Sequence, residues 1–347
     1  MGRLIMYIML IVAMVASGCG SPKEQAGAKQ IIIDSVGRKI ELQGPLNRVA
    51  VANAYNAELI NALNAIDKVV GVDYNIYQDQ GGFKDRFTKE QIIGKNQREL
   101  NYEKIVAINP EAVILTGNGH YKEAEEKLAP FGIKVIVVDS YYTEFFKENC
   151  HLMGKLLGKE QEAAELANYF DDKLALIANR IKDVEKKRVY FEYRRIGNTT
   201  IPGNYFYKMV EFGGGDNVFK DAKNVNVDPE AIIKANPDYI IKVSNINVYS
   251  SYEPPTLEDH LAIKEELCNR PGWSTINAVK NDKIMLMSHY VHGGASKNVG
   301  ALYIAKFLYP EQLQDLHPEA VFKEWLEKYQ HLPYIAGHTY PAYSLEE

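Results

Sequence analysis

The chain has 347 residues, room for two α/β lobes that each bury a core, and 46% of its residues are hydrophobic. Lys and Arg number 40 against 45 Asp and Glu, a formal net charge of −5. That balance argues against non-specific binding to nucleic acid or to an anionic membrane surface.

Met1-Gly2-Arg3 carries one positive charge ahead of an unbroken apolar run from Leu4 to Val15. The run falls short of the roughly 20 residues that span a bilayer and suits a signal h-region. Ala16-Ser17-Gly18-Cys19 follows and resembles the lipobox of prokaryotic lipoproteins, with Ala16 where Leu is commonest. Residues 1–18 are therefore read as a signal peptide and Cys19 as a lipidated N-terminus. The polar, Gly-rich stretch 19–30 is read as a tether. Of the other two cysteines, Cys150 and Cys268, neither has a short-spaced metal partner, and both are read as buried thiols.

A first lobe is expected over 31–157. Ile31-Ile32-Ile33-Asp34 and Lys39-Ile40-Glu41-Leu42 flank Gly37-Arg38, a hairpin signal. Strands are expected at 48–52, 69–72, 112–116 and 134–138, with helices at 57–65, 122–128 and 143–157. This alternation predicts a mostly parallel sheet covered on both faces.

Residues 158–183 form the spine of the reading. Ala163, Ala167, Phe170, Leu174, Ile177 and Ile181 lay one apolar stripe down a helix with no Pro or Gly inside it. A second lobe is expected over 184–330. It has strands at 188–193, 239–243 and 283–287, and helices at 205–212, 298–308 and 319–329, with 331–347 as a surface tail. The flanks of the spine also repeat each other. Glu103-Lys104-Ile105 through Asn109-Pro110-Glu111 matches Glu230-Ala231-Ile232 through Asn236-Pro237-Asp238, and a β-branched run follows each. Each copy reads as a short helix stopped by Asn-Pro before a buried strand, so the chain reads as a duplicated, two-lobed protein.

Several segments match a known family: Ile33-Asp34-Ser35-Val36-Gly37-Arg38, Arg48-Val49-Ala50-Val51, Ala57-Glu58-Leu59, Asn101-Tyr102-Glu103-Lys104-Ile105, Phe212-Gly213-Gly214-Gly215-Asp216-Asn217 and Pro271-Gly272-Trp273. In their order and spacing the chain resembles the class III periplasmic substrate-binding proteins of ABC importers, those for iron–siderophore, haem and vitamin B12. The resemblance covers about 31–329. It implies two sandwich-like α/β lobes with mostly parallel sheets, joined by one long spine helix, with ligand bound between them and little closure. It implies no cofactor and a cargo that is a ferric siderophore, corrinoid or haem, with molybdate or tungstate as the alternative. The expected partners are a permease dimer with its cytoplasmic ATPases, the membrane through the N-terminal lipid, and no nucleic acid, with the binding protein a monomer outside the cytoplasm. In the resembled family a glutamate on each lobe docks on the permease, and here Glu103 and Glu230 hold that place.

The opposing class is an enzyme. Gly213-Gly214-Gly215 lacks the Gly-Lys-Ser/Thr of a phosphate loop and follows a helix instead of opening one. No Gly-x-Ser-x-Gly or His-Glu-x-x-His occurs. A metal chelatase of related architecture is the enzyme alternative, and the chain is read as a binder.

Cleft residues are sought on loops at the strand ends facing the other lobe. These are Asn53, Tyr55, Asn56, Asp73, Tyr74, Tyr77, Asn118, His120 and Tyr121 from the first lobe. From the second come Arg194, Arg195, Asn204, Tyr205, Ser288, His289 and His292. The Arg pair suits a carboxylate, phosphate or oxyanion, or else lies solvated. His289 and His292 can share a metal if their loop curls, and the metal ligands are left open between these two.

Overall fold

The computed structural model describes residues 29–79, 82, 83, 85–204, 206–244, 252–292 and 297–345. Cys19 and the expected signal peptide and tether lie outside them. No helix of the described residues is long and apolar enough to cross a membrane.

The first lobe is built on a four-stranded parallel sheet in the order Val69–Val72, Val49–Val51, Ala112–Leu115, Lys134–Val137. The second repeats that order with Gly215–Asn217, Lys187–Glu192, Tyr239–Ser244 and Ile284–Ser288. The repeat reaches individual bonds. Helices Tyr102–Ile108 and Pro229–Ala235 both stop at an asparagine in the left-handed region, Asn109 at φ 52° and Asn236 at φ 45°. Asparagine tolerates that conformation, and the following proline cannot continue the helix. An arginine at the start of the neighbouring strand then caps the freed carbonyls. Arg48 donates to Ile108 O at 2.7 Å, and Arg188 donates to Ala235 O at 2.5 Å and Asn236 O at 3.1 Å.

Between the sheets runs the helix Glu160–Ile181, 22 residues and so roughly 33 Å long at about 1.5 Å per residue. Ala163, Ala167, Phe170 and Ile177 of the expected stripe are buried, and Leu174 and Ile181 pack half-buried against the same core. Phe170 meets Phe146 of the first lobe edge-on at 5.5 Å and Trp325 of the second at 5.9 Å. One apolar cluster therefore runs without a break from Val49 through Phe170 to Val189. The run Gly213-Gly214-Gly215 has a packing reason. A Cβ on Gly214, at φ +84°, would stand 2.5 Å from both Ile181 and Tyr309, so the end of the spine seats directly on the backbone.

Three expectations are corrected. The expected surface tail, 331–347, is not one over its described residues 331–345: Thr339–Tyr340 adds an antiparallel edge strand to Leu286 and Met287, and buried His338 sits 2.7 Å from Ser288 Oγ. The helix placed at 57–65 spans Ala54–Ala62, because Asn53 supplies its N-cap. Of the two thiols, Cys150 is buried and pushed up to about 12 by desolvation, whereas Cys268 is only half-buried.

Candidate functional site

The C-terminal ends of the two parallel sheets supply the loops that meet between the lobes, as open α/β sheets do at their ligand crevices. A cavity of about 390 Å³ lies there. The first lobe lines it with Asn53, Tyr55, Glu58, Asp73, Asp79 and Gln97, and the second with His289, Tyr290 and Gln330.

Local capping fixes several of these groups. Asn53 Oδ1 accepts from Tyr55 N at 3.0 Å and Asn56 N at 3.3 Å. Asp73 caps the next short helix, with Oδ1 accepting from Ile76 N at 2.9 Å. Burial raises the Asp73 carboxyl to about 7, against two backbone hydrogen bonds that favour its charge. Burial, with the positive charges of Lys297 and Arg194, lowers His289 to about 4, so its imidazole is neutral at ordinary pH.

Beside the cavity Lys297 bridges the lobes. It opens the second-lobe helix Lys297–Leu308, is 0% exposed, and donates to Tyr141 O of the first lobe at 2.7 Å. Its ammonium stands 5.0 Å from the Tyr55 ring centroid and 5.7 Å from that of Phe206, both within cation–π range. Burial lowers Lys297 to about 7, with the carboxylates of Glu58 and Glu144 acting the other way. Gln330 makes a second bridge, accepting at its carbonyl from Asn61 Nδ2 at 3.0 Å and donating to Glu58 O at 3.2 Å.

Of the residues expected from sequence, Asn53, Tyr55, Asp73 and His289 come together at the cavity. Asn56 does not line it: it is fully buried, bonded to Leu115 O and Ser140 Oγ, and serves the core. His120 is exposed and pairs with Glu123 at 3.8 Å. Tyr74 is exposed and stacks obliquely on Tyr77, which packs on the core. Arg194 and Arg195 line a separate second-lobe cavity of about 380 Å³ with Lys242 and Arg270. Arg195 donates to Asn226 there, and Arg194 lies over the Tyr193 ring at 5.0 Å. The loop expected to hold His289 and His292 is a short helix, His289–His292. The side chain of His292 and all of Tyr205 lie outside the described residues. Among those described, no group of three His, Cys, Asp or Glu side chains is placed to hold a metal.

Sequence reasoning missed Glu58, Asp79, Tyr290, Gln330 and Lys297. Only Lys297 carried a signal: it is the one charge in the first two turns of a helix that is mostly apolar.

Beneath the second cavity lies a buried ion network. Glu192 is 0% exposed and takes Arg270 through two parallel bonds of 2.9 Å, with Lys242 at 3.2 Å and the Tyr190 hydroxyl at 2.8 Å. Burial opposes the charge of Glu192, but the Arg270 bonds and the nearby cations outweigh it and leave the carboxyl below its ordinary value.

On the repeated helices, Glu103 and Glu230 both sit exposed in the first turn and make no ion pair with another described residue. A carboxylate there complements the helix dipole.

Residues 49–290 match the family described as periplasmic binding protein. The molybdate-binding protein MolA of Haemophilus influenzae is 24% identical over 88% of this chain and 92% of its own length. The iron-uptake system-binding protein of Bacillus subtilis is 26% identical over 81% of this chain and 89% of its own. Among solved structures, the TroA-like periplasmic binding protein FepB from Veillonella parvula superposes with a TM-score of 0.72 at 24% identity, covering 89% of this chain and 98% of that one.

Proposed function

The chain belongs to the periplasmic binding protein family, and from that premise we propose that it is the substrate-binding protein of an ABC importer, capturing a metal complex between its lobes and delivering it to the permease. The family places its members outside the cytoplasm, and the relatives are solute-binding transport proteins, not enzymes.

One observation carries the choice of cargo. The interlobe cavity, at about 390 Å³, is lined from both lobes by Tyr rings, amides and carboxylates. A siderophore, corrinoid or haem presents both apolar and polar surface, which suits a cleft lined by rings and by polar groups, whereas an oxyanion has no apolar surface to match the rings. In such a complex the cargo's own organic ligand would hold the metal. Molybdate or tungstate is the second reading. It rests on the resemblance to MolA and on the cations of the other cavity, Arg194 and Arg195.

A thermal-shift panel tests this, with hits confirmed by calorimetry. It spans ferric siderophores, corrinoids, haem, molybdate and tungstate. Stabilisation by one class of metal complex is expected. Stabilisation by the oxyanions alone favours the second reading, and insertion of metal into an added porphyrin would move the protein to the chelatases.

Two anchors complete the proposal. Cys19 would carry lipid and hold the protein at the membrane, so Cys19→Ala should release it to the soluble fraction. Glu103 and Glu230 would meet matching cations on the two permease subunits, because a pseudo-two-fold protein on a two-fold partner needs one anchor per lobe.

A further inference from the structure

Two carboxamides of the first lobe, Asn53 and Gln97, line the interlobe cavity with their orientation fixed. They stand at the ends of adjacent parallel strands: Asn53 lies just past Val49–Val51, and Gln97 is tied to Thr116, next after Ala112–Leu115. Asn53 Oδ1 accepts from Tyr55 N at 3.0 Å and from Asn56 N at 3.3 Å. A backbone N–H only donates, so the oxygen must face the helix start and the NH2 must face away from it. Gln97 Oε1 accepts from Thr116 N at 3.1 Å and lies 2.7 Å from the Thr116 hydroxyl, which turns this oxygen into the strand end by the same reasoning. It is also packed against Gly119, where a Cβ would stand 3.1 Å from it. What remains for the cavity is N–H. Asn53 Nδ2 donates to no described residue. Gln97 Nε2 gives one proton to Asn118 Oδ1 at 2.7 Å and keeps a second. Both side chains are half-buried. Asn96, also in the lining, has both ends of its amide engaged in its own hairpin, by Arg98 N and Glu99 Oε1.

Resting on the reading of the protein as a metal-complex binder, we infer that Asn53 and Gln97 meet the cargo as hydrogen-bond donors only, and that the complexes they select present acceptor oxygen there, of the amide carbonyl, hydroxamate or carboxylate kind. A carboxamide free to turn over would suit donor and acceptor alike. These two are not free: turning either would aim an NH2 at a backbone N–H and leave that donor unpaired. A cargo O–H or N–H in the same place would meet a donor and find no acceptor on either side chain. A hydrocarbon edge there would strand the amide protons without a partner in a partly desolvated cleft. Neutral and anionic oxygen both satisfy the arrangement, so this selection is by hydrogen-bonding type and not by net charge.

The test exchanges donor for acceptor at nearly constant shape. Asn53→Asp keeps an oxygen for the helix cap and Gln97→Glu keeps one for Thr116, while each replaces the outward NH2 by oxygen. Asn53→Ser keeps the cap on a shorter side chain that withdraws from the cavity. Full-length wild type and variants, checked for unchanged thermal stability, are titrated by calorimetry with a ferric tris-hydroxamate, a ferric tris-catecholate, cyanocobalamin and haem, at low and at high salt. For whichever of these binds the wild type, affinity is expected to fall about three- to tenfold in Asn53→Ser, as for one lost hydrogen bond. The fall should reach at least about tenfold in Asn53→Asp and in Gln97→Glu, where oxygen faces oxygen. Most of the loss should survive high salt, which screens charge but restores no donor. Wild-type affinity in Asn53→Asp or in Gln97→Glu removes that residue from the assignment and leaves the transport reading standing. A loss that high salt abolishes overturns donation in favour of charge repulsion. Binding of none of the four complexes overturns the metal-complex reading and this assignment with it.

Discussion

In the first lobe, Ala52 and Leu115 stand side by side at the ends of adjacent parallel strands, inside an apolar cluster with Ile93, Ile105 and Val113. The equivalent pair in the second lobe, one step beyond Phe191 and Ile241, is Glu192 and Lys242, locked with Arg270 in a buried ion network. Backbone pairing is the same in both sheets, Val49 to Ala112 and Val189 to Tyr239. What differs is what the strand ends present. In the first lobe Ala52 borders the large interlobe cavity, and in the second Lys242 borders a cationic cavity of its own. One sheet plan thus supports either an apolar strand end beside the interlobe cavity or a charged one beside a salt-bridge cluster, and the side chains at that position decide which.

The largest expected effect comes from breaking the charged version. Glu192→Ala leaves Lys242 and Arg270 buried with reduced compensation and should cost about 3–5 kcal/mol in urea unfolding. Adding Lys242→Leu, which installs the first-lobe pair, should recover at least about 1 kcal/mol, since apolar packing often replaces a buried ion pair without loss. A loss under about 1 kcal/mol for the single variant would mean that the network is not what holds this strand end. Glu192 also gives a pH signature. Its folded carboxyl lies below its ordinary value, so its contribution is complete above that value and is lost as pH falls through the lower folded one. The wild type should therefore lose more stability between pH 5 and pH 3 than Glu192→Ala.

Next in size is the place where the two lobes meet. Lys297 is lowered to about 7, while the unfolded chain holds its proton up to an ordinary lysine value. Below the folded value the full cost of the buried charge is present, and the cost fades as pH rises from about 7 towards that of a free lysine. Stability of the wild type should rise by about 2 kcal/mol from pH 7 to pH 9 relative to Lys297→Met, whose profile should lack this slope. Parallel profiles would show that Lys297 does not titrate near neutrality.

Smaller still are the matched arginine caps. Arg48→Ala and Arg188→Ala each remove exposed bonds to helix-end carbonyls, and each should cost about 0.5–1 kcal/mol by denaturant midpoint. Near-equal losses would sharpen the equivalence of the lobes, and a large difference would break it. The least effect on stability is expected from Glu103→Arg and Glu230→Arg, which should leave unfolding and ligand affinity unchanged. In reconstituted transport each should lower uptake by a similar amount, and the double variant most. Full uptake by the double variant would end the docking proposal.

The repeat of Asn109-Pro110 and Asn236-Pro237 was legible in the sequence because its cause is local: an asparagine that accepts a left-handed backbone, then a proline that stops the helix. Asn53, Asp73 and His289 were legible for a similar reason, since each lies within two residues of a strand end and strand ends line the crevice. Asn56 was assigned to the cleft by the same rule and belongs to the core, because a helix starting at Ala54 gives neighbouring residues different faces. Arg194 and Arg195 also follow a strand, but Lys242, Glu266 and Arg270 gather with them at a separate cavity.

By itself the sequence determined the strand–helix order, the long central helix and the duplication, all of which rest on hydrophobic period and turn chemistry within a few residues. Only the tertiary structure decided which charges are buried and whom they face. Glu192 and Arg270 are 78 residues apart, and Lys297 and Tyr141 are 156 apart. Their energies come from desolvation and contact, which no local pattern encodes. The same holds for residues 331–347, whose Thr339 and Tyr340 have a polar character that gave no sign of the sheet edge they complete. An edge strand is made by the partner it finds, and here that partner is the strand ending at Ser288.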